Sequence, residues 1–142
     1  MHTQRHFCAR IKRYEGDYLL IAKGNQPSMR EDLELFFEDE QADRSCWQTA
    51  TSLDKGHGRM EKRIVTSRVE VRDWFAQLWS GIEQVFRIER LVSKKGRTSR
   101  EVVYGITSLT PQQANVHRIA ALVRAYWAIE NRGALAPRCH PV

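Results

Sequence analysis

The last part of the chain carries the clearest helical pattern of apolar residues. Between Arg118 and Asn131, apolar side chains recur three and four positions apart, which is the spacing of one face of an α-helix. They are Ile119, Leu122, Val123, Tyr126 and Trp127. Glu130 continues this face, because it lies four residues after Tyr126 and three after Trp127. A carboxylate on a packed face is unfavourable unless it is paired or binds a metal, so Glu130 is the first candidate functional residue.

The N-terminal part of the chain alternates between helical and strand patterns. Residues 3–14 predict a helix that ends at Gly16, and the nearly all-apolar run 17–22 predicts a strand buried on both faces. After a short loop, Pro27 and Ser28 begin a second helix. Its apolar face is formed by Met29, Leu33, Phe36 and Phe37. Helix, buried strand and helix in this order are typical of an α/β protein.

The middle of the chain, about residues 45–108, is rich in β-branched residues and predicts strands. Two strands, 46–52 and 59–71, flank the turn DKGHG. Two more, 84–93 and 100–108, flank the turn KKGRTS and predict a hairpin. Thr110 and Pro111 are expected to open the last helix, which Gly133 and Pro137 end.

Composition and charge narrow the class of protein. The 142 residues, 42% of them hydrophobic, are enough for one globular domain. No apolar run is long enough to span a membrane and the N-terminus has no secretory signal, so a cytoplasmic protein is expected, with no membrane partner. Three widely spaced cysteines indicate reduced thiols rather than a disulfide or zinc framework. The net charge of +6 suits a polyanionic partner such as DNA without requiring one.

Two basic clusters at turns are candidates for contacts with the DNA backbone. His57, Arg59 and Arg63 follow a turn whose glycines allow a close approach to the main chain. The other cluster, Lys94, Lys95 and Arg97, forms the tip of the predicted hairpin. The alternatives are a solvated hairpin for the first cluster and, for the second, a charged tip that keeps an edge soluble.

A third candidate cluster follows the buried strand. Lys23, Asn25 and Gln26 occupy the kind of loop that lines ligand clefts in α/β sheets, and their side chains could contact phosphate or sugar. The alternative is a polar turn that begins the next helix. For Glu130, the alternative to a metal ligand is an ion pair with Arg118 or Arg124.

Four segments in order resemble one known family. They are Asp17–Asp32, with the sequence KGNQ after the strand; Asp54–Arg63, with HGRMEKR; Thr98–Leu109, the return strand of the hairpin; and Val123–Asn131, with RAYWAIEN. Together they resemble the H-repeat-associated transposases, a bacterial insertion-sequence branch of the DDE transposases. The resemblance covers about residues 1–132.

This resemblance implies a ribonuclease-H-like α/β fold and a two-metal chemistry. In that family three acidic residues hold two divalent ions, here expected to be Mg²⁺, which promote cleavage and strand transfer at phosphodiesters. Glu130 matches the third acid and would be both catalytic residue and metal ligand. Asp17, Asp32 and Asp54 match neither of the other two, which the resemblance implies lie upstream of Met1.

The resulting expectation is a partial ribonuclease-H-like domain. Residues 1–132 would form its C-terminal part, with a β-rich insertion at about 45–108 and a C-terminal amphipathic helix. Residues 133–142 would form a disordered tail produced by a shift of reading frame. The function expected is that of a truncated transposase fragment, inactive alone and binding no metal tightly. The alternative is a non-enzymatic DNA-binding module or inhibitor, whose partners would be DNA and a full-length transposase. A third hypothesis is a decaying open reading frame with no selected role.

Overall fold

One antiparallel sheet organises the molecule. The structure, a computed structural model, describes residues 10–22, 27–69, 79–131 and 139–141, except for the side chains of 27–28, 126–131 and 139–141. The strands are β1 (Tyr18–Ala22), β2 (Gln48–Gly56), β3 (Arg59–Arg68), β4 (Gln84–Lys94), β5 (Arg97–Thr107) and β6 (Cys139–Pro141). Their order across the sheet is β2-β3-β4-β5-β1-β6, and every neighbouring pair is antiparallel. The helices are α1 (Pro27–Glu38) and α2 (Val116–Asn131), and residues 10–13 are also helical.

The predicted buried strand is confirmed as β1. All five of its residues are at most 2% exposed, and they alternate between the two faces of the sheet. Tyr18 and Leu20 belong to the apolar layer under α1, whereas Leu19 and Ile21 belong to the layer under α2. A strand covered on both faces reads as a continuous apolar run, which is why this element was recognisable in the sequence.

The predicted apolar face of α1 is also confirmed. Met29, Leu33 and Phe37 are each at most 2% exposed, and Phe36 packs beside them. Leu35, which points away from the sheet, is 69% exposed. The helix therefore contributes one apolar stripe to the core and leaves the opposite side to solvent.

Two long hairpins form most of the sheet. The β2–β3 turn consists of His57 and Gly58, with φ of 52° and 71°, and the β4–β5 turn consists of Lys95 and Gly96, with φ of 53° and 75°. Positive φ at both central residues is the geometry of a tight type I′ hairpin, which matches the twist of the flanking strands. The segment predicted as an insertion thus continues the sheet that contains β1, through pairing of β5 with β1. The ribonuclease-H-like assignment stays a prediction.

The second helix covers the other face of the sheet, over β2 and β3. It begins five residues later than Pro111, so that boundary prediction was wrong. Thr110 instead closes a separate turn, and the side chain of Asn115 accepts the backbone N–H of Arg118 at 2.9 Å, which caps the helix. No helix in the described ranges is long and apolar enough to cross a bilayer.

The end of the chain differs in part from the expected disordered tail. Cys139–Pro141 form β6, which pairs with Tyr18–Leu20 at the edge of β1. Residues 132–138 and 142 lie outside the described residues.

Candidate nucleic-acid interface

The tips of the two hairpins lie side by side at one end of the sheet. The pairing of β3 with β4 sets Arg59, the first residue after the β2–β3 turn, opposite Lys94, the last residue before the β4–β5 turn. Residues 55–60 and 93–98, which are far apart in sequence, therefore form one surface, here named the cationic end. A shallow depression of about 350 Å³ lies between the two tips.

The cationic end carries an excess of positive charge. Its twelve residues contain five lysines and arginines and no carboxylate. The five are Lys55, Arg59, Lys94, Lys95 and Arg97, and all are exposed. Clustered exposed cations of this kind attract phosphate groups through their field and through the release of counterions.

The main chain of the cationic end is open to close approach. A methyl group added at Gly56, Gly58 or Gly96 would meet no atom within 4 Å. Gly58 and Gly96 also have positive φ, a conformation that glycine adopts without steric cost. A ligand can thus come near the backbone of both turns as well as the lysine and arginine side chains.

A row of arginines continues from the cationic end along one face of the sheet. Glu61 lies 3.1 Å from Arg63 and 3.9 Å from Arg59, and it accepts a hydrogen bond from Arg90 on the neighbouring strand. Burial opposes ionisation of Glu61, but the hydrogen bond from Arg90 and the charges of the three arginines outweigh it and lower the pKa of this carboxyl. Glu61 therefore holds the guanidinium groups in place as a fixed anion.

This row lies on the face that α2 covers. Val65 and Ile88 pair across β3 and β4, and both belong to the apolar layer under α2. Because side chains two residues apart share a face, Arg63 and Arg90 point to the same side. Arg124 of α2 extends toward this side, 3.5 Å from Asp54. The guanidinium groups thus extend from the hairpin tips to the helix.

The structure brings together most of the basic residues that the sequence singled out. His57, Arg59, Lys94, Lys95 and Arg97 meet at the cationic end, and Arg63 lies next to it. The sequence analysis did not propose Lys55, Arg90 or Arg124 as DNA contacts, and it considered Arg124 only as a partner of Glu130. The register of the β3–β4 pair would have identified Arg90, because it lies directly opposite Arg63.

Two predictions fall on parts of the molecule that the structure does not describe. Lys23, Asn25 and Gln26 lie outside the described residues. Glu130 is the penultimate residue of α2, and the structure does not describe its side chain. Within the described ranges, no three His, Cys, Asp or Glu side chains lie close enough together to hold a metal ion.

These features define a protein with helices on both faces of an antiparallel sheet and a cationic end built from two hairpins. Comparison with known proteins adds a relationship. The chain is 28% identical over 134 residues to "Putative transposase YncI" of Escherichia coli O157:H7, an alignment that covers 92% of this chain and 34% of that protein. This similarity relates the chain to a transposase, while the narrower H-repeat-associated family stays a prediction.

A second relative has no assigned activity. The chain is 36% identical over 109 residues to "Uncharacterized protein in dhlA 3'region" of Xanthobacter autotrophicus, covering 75% of this chain and 36% of that protein. The chain thus spans about a third of the length of the curated relatives it matches. No family model matches it, and no solved structure matches it.

Proposed function

We propose that this transposase-related chain binds DNA through the cationic end, by contacts to the phosphate backbone. The observation that carries the proposal is the pairing of Arg59 with Lys94, because it joins two basic turns into one surface. The similarity to a putative transposase supports a DNA substrate over other polyanions.

The expected binding is electrostatic and independent of base sequence. Each phosphate neutralised on duplex DNA contributes about −0.9 to the slope of log affinity against log salt. If all five cations of the end contact phosphates, the slope would be about −4.5. Such contacts position a protein on DNA without identifying the sequence.

A pair of charge-matched variants tests this proposal. In one, Lys94, Lys95 and Arg97 are each changed to Gln, and in the other the exposed Arg10, Arg13 and Arg118 are changed to Gln. Binding of a fluorescent duplex, measured by anisotropy over a salt series, should lose about three units of slope only in the first variant. Equal losses in both variants would show non-specific attraction to the whole basic chain, and an absence of binding at low salt would reject the proposal.

We also propose that the residue equivalent to Glu130 supplies one carboxylate ligand for Mg²⁺ in longer transposase-related proteins. The support is its position in the Val123–Asn131 segment that resembles the DDE transposases and its place near the end of α2. The described residues provide no ligand set to accompany it. A single carboxylate does not organise a two-metal site, so the chain alone should not cleave DNA with Mg²⁺. Nicking that disappears in Glu130→Gln would contradict this expectation.

A further inference from the structure

Strand β2 forms one edge of the sheet, and its outer side is open. In the part of the chain that the structure describes, β3 is the only strand that pairs with β2, and α2 packs over the face that carries Ala50. The nine residues of β2 pair with β3 one for one from Gln48 to Gly56, without a bulge, and none of them is proline. A straight exposed edge of this length presents N–H and C=O groups that another strand can bind.

The tight turn after β2 identifies which of its backbone groups point outward. A two-residue turn is closed by a pair that exchanges both hydrogen bonds, here Gly56 and Arg59, and such pairs alternate along an antiparallel ladder. The even-numbered residues of β2 therefore direct their N–H and C=O groups to β3. The odd-numbered residues, which direct theirs away from the sheet, are Thr49, Thr51, Leu53 and Lys55.

We propose that a second copy of this chain pairs with this edge, antiparallel and about a two-fold axis at Ser52. In this register Thr49 lies opposite Lys55 of the second copy, and Thr51 lies opposite Leu53. All four outward-pointing residues then exchange hydrogen bonds with one another, and the two sheets become continuous. The edge is thus self-complementary, as the interface of a closed two-fold dimer requires.

The charges beside β2 favour a second copy as the occupant. Residues 38–43, which precede the strand, carry four exposed carboxylates, whereas the other end of β2 enters the cationic end. Antiparallel pairing sets Gly56 of one copy opposite Gln48 of the other, so the basic turn of each copy lies toward the acidic segment of its partner. An axis at Asp54 would instead oppose two like charges, which is unfavourable.

Both faces of the sheet accommodate this pairing. On the α1 face, Leu53 is 52% exposed and would lie diagonally across the axis from Leu53 of the second copy, within reach of a side-chain contact. On the other face, α2 packs over β2 and β3. The two copies of α2 would then be about two strand spacings apart, about 10 Å, which is a distance at which helices pack.

Sedimentation equilibrium over a range of protein concentrations tests the proposal. The original chain should dimerise, and Thr51→Pro should raise the dissociation constant of the dimer at least about tenfold, because proline removes an outward N–H and leaves the ladder to β3 intact. Thr51→Val keeps this N–H and should dimerise like the original chain. A chain that is monomeric at every concentration, or a dimer that Thr51→Pro does not weaken, would overturn the proposal.

Leu53→Lys is a second disrupting variant, and it leaves the backbone unchanged. It places two added lysines across the axis from each other and should also weaken the dimer. Leu35→Lys adds the same charge on the exposed side of α1 and should leave the dimer intact. Circular dichroism verifies that each variant is folded. Equal weakening by both lysines would show an effect of net charge and would count against the edge.

Disulfide trapping tests the register. In a chain whose three cysteines are changed to serine, Ser52→Cys places two thiols at the axis. Facing Cα atoms in a non-hydrogen-bonded pair are about 4.5 Å apart, which a disulfide can bridge. In Asp54→Cys the two thiols would be four residues apart along the strands, about 13 Å, which is too far. Mild oxidation should give covalent dimers of Ser52→Cys only, and equal or greater yields from Asp54→Cys would refute the proposed pairing.

Discussion

The two ends of the sheet differ in the burial of their side chains, although the same strands form both ends. In β5, Val103–Thr107 are buried between the helices, whereas Arg97–Glu101 are exposed at the cationic end. In β3, Val65–Arg68 are buried, whereas Arg59, Met60 and Lys62 are exposed. Each of these two strands therefore has its first residues outside the core and its last residues inside it. Stability depends on one end of the strand, and the proposed binding depends on the other.

This separation implies that changes at the two ends act independently. Substitutions without shared contacts are usually additive in their effects on the free energy of unfolding. Changes at the core end should therefore alter the unfolding free energy and leave the salt dependence of DNA binding unchanged in the protein that stays folded. Changes at the cationic end should alter the salt dependence of DNA binding and change the unfolding free energy by only about 0.5 kcal/mol or less.

The largest effect is expected from Phe37→Ala. This ring is fully buried and contacts Trp47 and Tyr104, with centroid distances of 5.7 and 5.9 Å. Its loss should lower the free energy of unfolding by about 3–5 kcal/mol, measured by urea denaturation. Leu35→Ala, on the exposed side of the same helix, should change it by less than about 0.5 kcal/mol. Similar losses in both variants would contradict the assignment of the core face.

A second comparison uses the same substitution at both ends. A Cβ at Gly105 would lie 2.3 Å from the Phe86 ring and 2.7 Å from the carbonyl oxygen of Leu20. Gly105→Ala should therefore cost about 1–3 kcal/mol through overpacking between β5 and β1. Gly56→Ala meets no atom within 4 Å and should be neutral or slightly stabilising. Thermal unfolding of both variants measures the difference, and equal melting temperatures would contradict it.

An intermediate effect is expected from Glu61→Gln, at the boundary between the two ends. Its folded-state pKa is lowered, so ionised Glu61 contributes stability above the unfolded-state value of about 4.3, and this contribution is lost as pH falls further. At pH 7 the variant should be less stable by about 1.5–3 kcal/mol, the range for hydrogen bonds to charged groups.

Urea denaturation between pH 3 and pH 7 measures this effect. The difference between the original chain and Glu61→Gln should shrink as the pH falls below about 4.3, because the unfolded chain then binds a proton at Glu61 more readily than the folded chain, whose pKa is lowered. Glu89→Gln provides a comparison. Glu89 of β4 forms an ion pair with the exposed Arg100 of β5 at 2.7 Å, so its loss should lower the free energy of unfolding by less than the loss of Glu61. A difference that stays constant with pH would contradict the ionic role of Glu61.

The smallest effect is expected from Lys95→Asn. Lys95 has a φ of 53° ahead of Gly96, and Asn-Gly is the preferred pair for this turn. The variant should gain about 0.5 kcal/mol in stability and lose about one unit of salt slope in DNA binding. Lys94→Asn removes the same charge from a strand position and should lower the slope without the gain in stability. A stability gain in both variants would contradict the turn argument.

Local patterns in the sequence predicted the elements whose buried positions follow from residue type and short spacing. The run 17–22 was recognisable as a strand because both of its faces are buried. The apolar face of α1 was recognisable because Met29, Leu33 and Phe37 follow the helical period. The start of α2 was misplaced because Thr110 and Pro111 are also favoured in turns, and Asn115 provides the cap.

Arg68 shows what local patterns miss. It is 5% exposed, donates to the carbonyl oxygen of Phe36 at 2.6 Å, and stacks on the rings of Phe36 and Trp47. Nothing near Arg68 in the sequence indicates that α1 ends beside it. Its role depends on a partner 32 residues away.

The sequence by itself determined the apolar faces, the two tight turns and the excess of positive charge, because these depend on residue type and short spacing. Only the tertiary structure decided that the two basic turns form one surface. The reason is that this juxtaposition depends on the register between β3 and β4, which no single segment of the sequence specifies.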